Sequence, residues 1–482
     1  MPATLEDLAD ELLLDILDYI SVRNRWDIDF KTWAGGAEIE SRVRTLHSVA
    51  LVSRRLYRVA NQVLYSALVD GADATRRRQF LRTAVKRPDL AAMVKEVRFS
   101  YFDWHGTLNR SGVPAEYTEV LEAAKRVDID GDERERASFQ KALLESFNDA
   151  DVALLFSQLP SLETLEFEVD ETWFHTWKWF LCLARRAVEN KSGPLASLRH
   201  LRPKYGNENA SGFHPLFIQD FVGLPSLKTI EMSAVWLDER DGDRPLSLQT
   251  NSRIETLAFW DSLPGNAFVE CALNAFVQLK AFRYTYGNFL AAFIPYAQMQ
   301  DFYNALHTRK DTLEHFSLLV SDRCTAFRQI ARRSFIVPRF GSFKAFAKLR
   351  HLEISEPIIS GLADMLDNDF GADAPVPAPA PDHSELVDIL PASLESMVIQ
   401  CDFSVSTEPL TALKAQFLLA LARRVTSLPR FRRLELLRVG DIPRLGDFEE
   451  ALGRIRDLAE CSGVEFDIVR WDKAKYGGLS TA

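Results

Sequence analysis

This 482-residue chain has little of what usually betrays a chemistry at once. Its five cysteines, Cys182, Cys271, Cys324, Cys401 and Cys461, lie far apart and form no C-x-x-C pair. That excludes the common zinc cages and dithiol redox motifs and reads as free thiols in a reducing compartment. No apolar run approaches the roughly 20 residues needed to cross a bilayer. The opening residues, MPATLEDLADELLL, lack the basic start of a secretory signal. The expectation is a soluble protein, cytoplasmic or nuclear, with no membrane partner. Clustered basic residues are also missing: the net charge is −10, with Lys and Arg scattered among acidic residues. Nucleic acid is therefore not an expected partner, because binding to phosphate backbones needs concentrated positive charge.

Catalytic signatures are equally scarce. No G-x-S-x-G, H-E-x-x-H, G-x-G-x-x-G or G-x-x-x-x-G-K-[ST] occurs. The acidic run VDIDGDERE resembles a calcium loop only briefly. Its Gly131 comes two places too early, and Phe139 stands where the bidentate Glu belongs. Neither an enzyme nor a cofactor or metal site is expected.

What is present is hydrophobic periodicity. Leu8, Leu12, Leu13, Ile16, Leu17 and Ile20 form one wide stripe on a helix, with Asp7, Asp10 and Glu11 near its positive end. A second helical stretch starts near Thr45 and runs through TLHSVALVSRRLYRVANQVLYSAL, where Ser53 is placed to cap a new helix. The link between them, residues 21–44, reads as a packed surface loop carrying Trp26, Phe30 and Trp33.

The two blocks LADELLLDILDYI and ALVSRRLYRVANQVLY, in this order, resemble the F-box family over roughly residues 4–66. Ala9 replaces the family's proline, which would let the helix begin earlier, and the 21–44 link is longer than usual. The resemblance implies docking onto the Skp-family adaptor of a cullin–RING ubiquitin ligase. The contact residues it implies are Leu8, Leu12, Leu13, Ile16, Leu17, Val52, Leu56 and Tyr57.

Behind this module one pattern recurs: apolar, two residues, apolar, one residue, apolar. Copies include Val94–Val97–Phe99, Leu162–Leu165–Phe167, Ile254–Leu257–Phe259, Leu313–Phe316–Leu318, Leu349–Leu352–Ile354 and Leu434–Leu437–Val439. Leu198–Leu201 is a weaker copy that ends at Pro203. Each strand and its returning helix expose apolar faces that only the next unit can cover, which is the logic of a solenoid. Roughly residues 90–470 resemble the degenerate leucine-rich repeats that accompany F-box modules. The expected fold is α/β: a helical module over 1–70, then an irregular solenoid over 71–470, with a tail over 471–482. The solenoid is a curved array of short parallel strands with helices on the convex side. Polar residues at 100–137 and the proline-rich stretch within 365–385 read as insertions.

Side chains alternate along a strand, so the residues between the apolar ones should share the opposite, target-facing side. They include Glu166, Glu168, Arg202, Glu231, Trp260, Arg283, His315, Ser317, His351 and Glu353. Arg202, Glu231, Trp260, Arg283, His315 and His351 are the candidate target contacts, with Trp260 foremost because Trp and Arg are enriched at binding hot spots. The expected function is a substrate-recruiting adaptor binding a Skp-family adaptor, a cullin scaffold and an unknown target protein. The alternative is a repeat scaffold whose terminal helices merely cap the array.

Overall fold

A computed structural model of the protein describes residues 8–23, 33–70, 74–99, 118–127, 133–144, 148–169, 178–205, 218–235, 248, 253–262, 266–287, 299–320, 340–360, 389–402, 408–439 and 446–470. The chain forms two compact units, one within residues 1–232 and one within 233–479. The division falls inside the repeat region. Trp26, Phe30, Trp173, Trp177, the 365–385 stretch and the tail lie outside the described residues.

The first unit opens with α1 (Asp10–Asp18), α2 (Trp33–Ala50) and α3 (Arg54–Leu64). Leu13, Leu17, Leu46, Ala50, Leu56, Val59, Ala60 and Val63 close into one core. Ser53 caps α3 as its sequence promised: the Oγ accepts a hydrogen bond from the Leu56 N–H at 3.2 Å. Two expectations change here. Helix α1 does not begin early, since Ala9 sits in extended backbone at its N-cap. Much of the 21–44 link is helix, not loop. The Glu38–Arg42 and Glu40–Arg44 pairs at i, i+4 support that longer α2, at 2.8 and 2.7 Å.

The unit continues with β1 (Ala67–Asp70), α4 (Ala74–Lys86), α5 (Pro88–Ala91), β2 (Glu96–Phe99), α6 (Thr118–Arg126), α7 (Glu133–Leu144), α8 (Asn148–Ser157), β3 (Thr164–Val169), α9 (Lys178–Asn190), β4 (His200–Tyr205), α10 (Gln219–Val222) and β5 (Thr229–Ser233). The presumed insertion at 100–137 thus contributes α6 and the start of α7. Phe139, which spoiled the calcium pattern, is buried against Trp179 with ring centres 5.2 Å apart. The weak copy at Leu198–Leu201 forms a full strand, with Pro203 paired opposite Phe167.

The second unit carries β6 (Thr256–Ser262), α11 (Asn266–Ala275), β7 (Ala281–Tyr286), α12 (Met299–His307), β8 (His315–Val320), β9 (His351–Ser355), α13 (Glu356–Ser360), β10 (Ser396–Asp402), α14 (Glu408–Val425), β11 (Arg433–Val439), α15 (Gly446–Cys461) and β12 (Glu465–Arg470). In each unit the strands lie side by side in sequence order. Pairing is parallel from β1 to β4 in the first unit and from β6 to β12 in the second. Parallel neighbours need a crossover, which the intervening segments provide.

The recurring pattern sets this register. Its first apolar residue lies in the turn before the strand, and the other two point to the helix side, where aromatic rings continue the contact. Phe156 of α8 meets Phe99 and Phe180 in the first unit, and Phe302 of α12 meets Phe282, Phe316 and Phe340 in the second. One frame is corrected. Leu434 pairs with Met397, the second apolar position of its neighbour, so the copy in β11 is Phe431–Leu434–Leu436 rather than Leu434–Leu437–Val439.

The residue after each first apolar position also forms a ladder. In the second unit this row reads Glu255, Lys280, Glu314, Arg350, Glu395, Arg432 and Glu465, with each N–H from Lys280 onward bonded to the preceding carbonyl at 2.7–2.9 Å. The charges alternate strand by strand. Lys280 lies 2.9 Å from Glu255 and Arg350 lies 3.8 Å from Glu395. A slip by one strand would bring like charges together, so the row favours one pairing order.

Candidate docking and recognition faces

The stripe on α1 divides in two. Leu13 is 0% exposed and Leu17 is 3% exposed, both in the module core with Leu56, while Leu8 is half-buried against it. These three core residues hold the module together and offer no surface, which corrects their reading as direct docking contacts. Leu12 and Ile16 face outward, as do Val52 and Tyr57. Two residues overlooked in the sequence join them. Tyr19 continues the Leu12–Ile16 line at i+7 and is 88% exposed, and Leu51 beside Val52 is 72% exposed. The spacing from Leu12 was the available signal for Tyr19.

Helix α1 is fixed against α3 by Asp10. Its carboxylate accepts from Arg55 Nε at 2.8 Å and from Arg58 at 2.5 Å. The Arg55 hydrogen bond, with Arg58 beside it, holds the Asp10 carboxyl below its ordinary value. Asp10 therefore stays ionised and the helix pair stays clamped.

The polar strand face of the first unit is largely occupied by its own charges. Arg98 is 2% exposed and bonds Glu96 at 2.6 Å. Glu166 pairs with Lys204, and Arg202 with Glu231 at 3.2 Å. Burial alone would raise the Glu166 carboxyl, but Lys204, Arg98 and Arg202 together bring it below its ordinary value. The same face holds the helical module, since Arg98 donates to the Val22 carbonyl at 3.5 Å and Arg23 lies 3.6 Å from Glu163. Arg202 and Glu231, expected as target contacts, are thus partners of each other.

The corresponding face of the second unit is different. His315 and His351 stand opposite each other on β8 and β9, with rings stacked at 4.2 Å, and His351 Nδ1 meets Ser396 Oγ at 2.7 Å. Burial, then His351 and Arg283, push His315 down to about 4, so its ring is neutral near pH 7. Arg283 and Glu353 are half-buried on either side of Ser317.

Trp260 sits where β6 bulges. The pairing shifts between Phe259 and Ser262, leaving Trp260 and Asp261 opposite Thr285. Asp261 takes a left-handed backbone with φ 45°, and Gly287 packs directly on its backbone, where no Cβ has room. The Trp260 carbonyl accepts from Ala234 N–H at 2.9 Å and from Ser262 Oγ at 2.7 Å. The ring is half-buried, beyond Arg283 along the same face.

Taken unit by unit, the fold defines an α/β protein of parallel strand-and-helix repeats preceded by a three-helix module. No protein-family model matches the chain, and no curated protein matches it at a significant level. Among the described residues, no helix is long and apolar enough to cross a membrane, and no cluster of three or more His, Cys, Asp or Glu side chains is arranged to hold a metal ion.

Proposed function

We propose that this protein is a substrate-recruiting adaptor. Its N-terminal module docks onto a Skp-family adaptor of a cullin–RING ubiquitin ligase, and its repeat region holds the target. One observation carries the reading. Of the nine large hydrophobic side chains exposed among the described residues, seven lie between Leu12 and Tyr57. Apolar side chains concentrated in this way on one small module are what a protein interface requires. All but Val43 belong to the same two blocks that resemble the F-box.

The second reading, a cap on a repeat scaffold, draws on the module's complete core and its contacts with the strand face through Val22 and Arg23. A capture assay separates the two. Full-length wild type should retain a purified Skp-family adaptor. Leu12→Asp combined with Ile16→Asp should lose at least about tenfold in affinity while keeping the wild-type melting temperature, because both positions are already exposed. Leu13→Asp is unsuitable, since it would unfold the module. Failure of the wild type to capture the adaptor would remove the ligase role and leave the scaffold.

A further inference from the structure

Ser317 is 3% exposed and its hydroxyl has no hydrogen-bond partner among the described residues. A buried polar group without a partner is rare in native folds and calls for an explanation. Its neighbours supply one. Arg283 lies directly across on β7 and Glu353 directly across on β9. Neither forms a hydrogen bond or ion pair among the described residues, although opposite charges stand on the two flanks of a single serine. Their Cα atoms are two strand spacings apart, about 10 Å. His315 lies on the same side of β8, two residues before Ser317. Its ring is held against His351, and His351 is held by Ser396.

We infer that Arg283, Ser317 and Glu353 bind a target segment that presents one acidic and one basic side chain a few residues apart. The carboxylate engages the Arg283 guanidinium and accepts the Ser317 hydroxyl proton, and the cationic group lies on Glu353. The inference rests on the recruiting role proposed above, and it names the chemistry of what is recruited. An extended segment advances about 3.3 Å per residue and alternates its side chains, so residues two or four positions apart share one face and bracket the distance from Arg283 to Glu353.

The charge inventory favours a carboxylate over a phosphate. Phosphate recognition relies on clustered arginines that meet a charge near −2. Here one guanidinium faces the serine. The other nearby cations are engaged, Arg350 with Glu395 and Arg433 with Glu435, and the His315 ring is neutral. Glu353 would repel a second negative charge.

A random dodecapeptide library displayed on phage and panned on the full chain tests this. Enriched peptides should share an acidic and a basic residue two to four positions apart. Resynthesised with Asn for the acid, they should bind wild type about tenfold more weakly and bind Arg283→Gln no more weakly than the parent peptide does. Gln for the base should behave likewise with Glu353→Gln. Ser317→Ala, whose fold loses no hydrogen bond, should melt no lower than wild type yet bind the parent peptide several-fold more weakly.

Absence of enrichment, enrichment without the charge pair, indifference to Arg283→Gln, or tighter binding when phosphoserine replaces the acid would each overturn the inference. The adaptor reading is scored separately by the capture assay. A chain that selects charge-paired peptides but captures no Skp-family adaptor keeps this site and loses the ligase role. The converse result removes only this site.

Discussion

The two units build their strands from the same spacing of apolar residues, yet they treat the opposite face in contrary ways. In the first, charge is paired within the face: the buried Glu96 with Arg98, the buried Glu166 with Lys204, and the half-buried Arg202 with Glu231. In the second, the half-buried Arg283 and Glu353 have no ion pair, and the serine between them no hydrogen bond, among the described residues. A shared scaffold therefore does not imply a shared use of its surface. The first face binds its own chain, including Val22 and Arg23 next to the helical module. The second is left with polar groups to spare.

Substitution of one arginine on each face exposes this contrast most sharply. Arg98→Met removes one member of the buried Arg98–Glu96 pair, which costs about 3–5 kcal/mol. Arg283→Met removes a charge with no partner among the described residues and should change stability by at most about 0.5 kcal/mol. Denaturant midpoints of the two variants should differ accordingly. Equal losses would mean that Arg283 is as structurally committed as Arg98, and the contrast would collapse.

The bulge that sets Trp260 comes next in size. A Cβ on Gly287 would overlap the Asp261 backbone, which has no flexible end to give way. Gly287→Ala should cost about 1–3 kcal/mol through overpacking and shift the Trp260 fluorescence. Gly463 differs from Gly287 in both respects, with a positive φ and open space around it, so it reports backbone strain without close approach. If Gly287→Ala costs nothing and leaves the Trp260 fluorescence unchanged, the close approach to Asp261 does not hold the bulge.

Much of this was legible in the sequence, and the limits have physical causes. Apolar spacing located β2 to β10, because every strand must present the same two side chains to its helices. It failed at β11, where Leu434, Leu436 and Leu437 are all apolar and two frames compete. Leu437 belongs to a small apolar cluster with Leu319 and Val398 on the far face. The module's helices were visible as a stripe. Which half of the stripe turned outward was not, since Leu12 and Leu13 are identical in chemistry and differ only in angle. Pairing of Arg202 with Glu231 was hidden for another reason. Their positions are far apart in sequence, and only the register brings them together.

Acid sharpens the contrast further, because the second face holds a neutral histidine. Burial, with His351, Arg283 and Arg350 adding to it and Glu314 opposing, lowers His315 from 6.5 to about 4. The unfolded chain takes up a proton near pH 6.5 that the folded ring refuses, so stability is full above that value and falls as pH drops toward 4. The ring is partly hydrated, so the loss should be on the order of 1–2 kcal/mol. Other carboxylates titrate in the same range. The measurement is therefore the difference between wild type and His315→Gln in denaturation midpoint at pH 7 and pH 4.5. A constant difference would show that the stacked pair does not exclude the proton. His200 on the first face is lowered too, by burial and then Arg202, so His200→Gln should change the slope in the same direction.

The smallest effect is the most discriminating, because its sign is unusual. Ser317→Ala deletes a hydroxyl that is buried and unpaired, so the folded state sheds a desolvation cost and loses no bond. The variant should be as stable as wild type or more stable by up to about 1 kcal/mol. Ser355→Ala, one strand over, provides the comparison: its hydroxyl is buried and bonded to Gln400 and to the Val320 N–H, at 2.9 Å for the latter. There the same change should destabilise by about 1–3 kcal/mol. Two buried serines on neighbouring strands of one face would then respond in opposite directions. A loss at Ser317 equal to that at Ser355 would mean that its hydroxyl is already satisfied within the fold, and the polar face of the second unit would be as self-contained as that of the first.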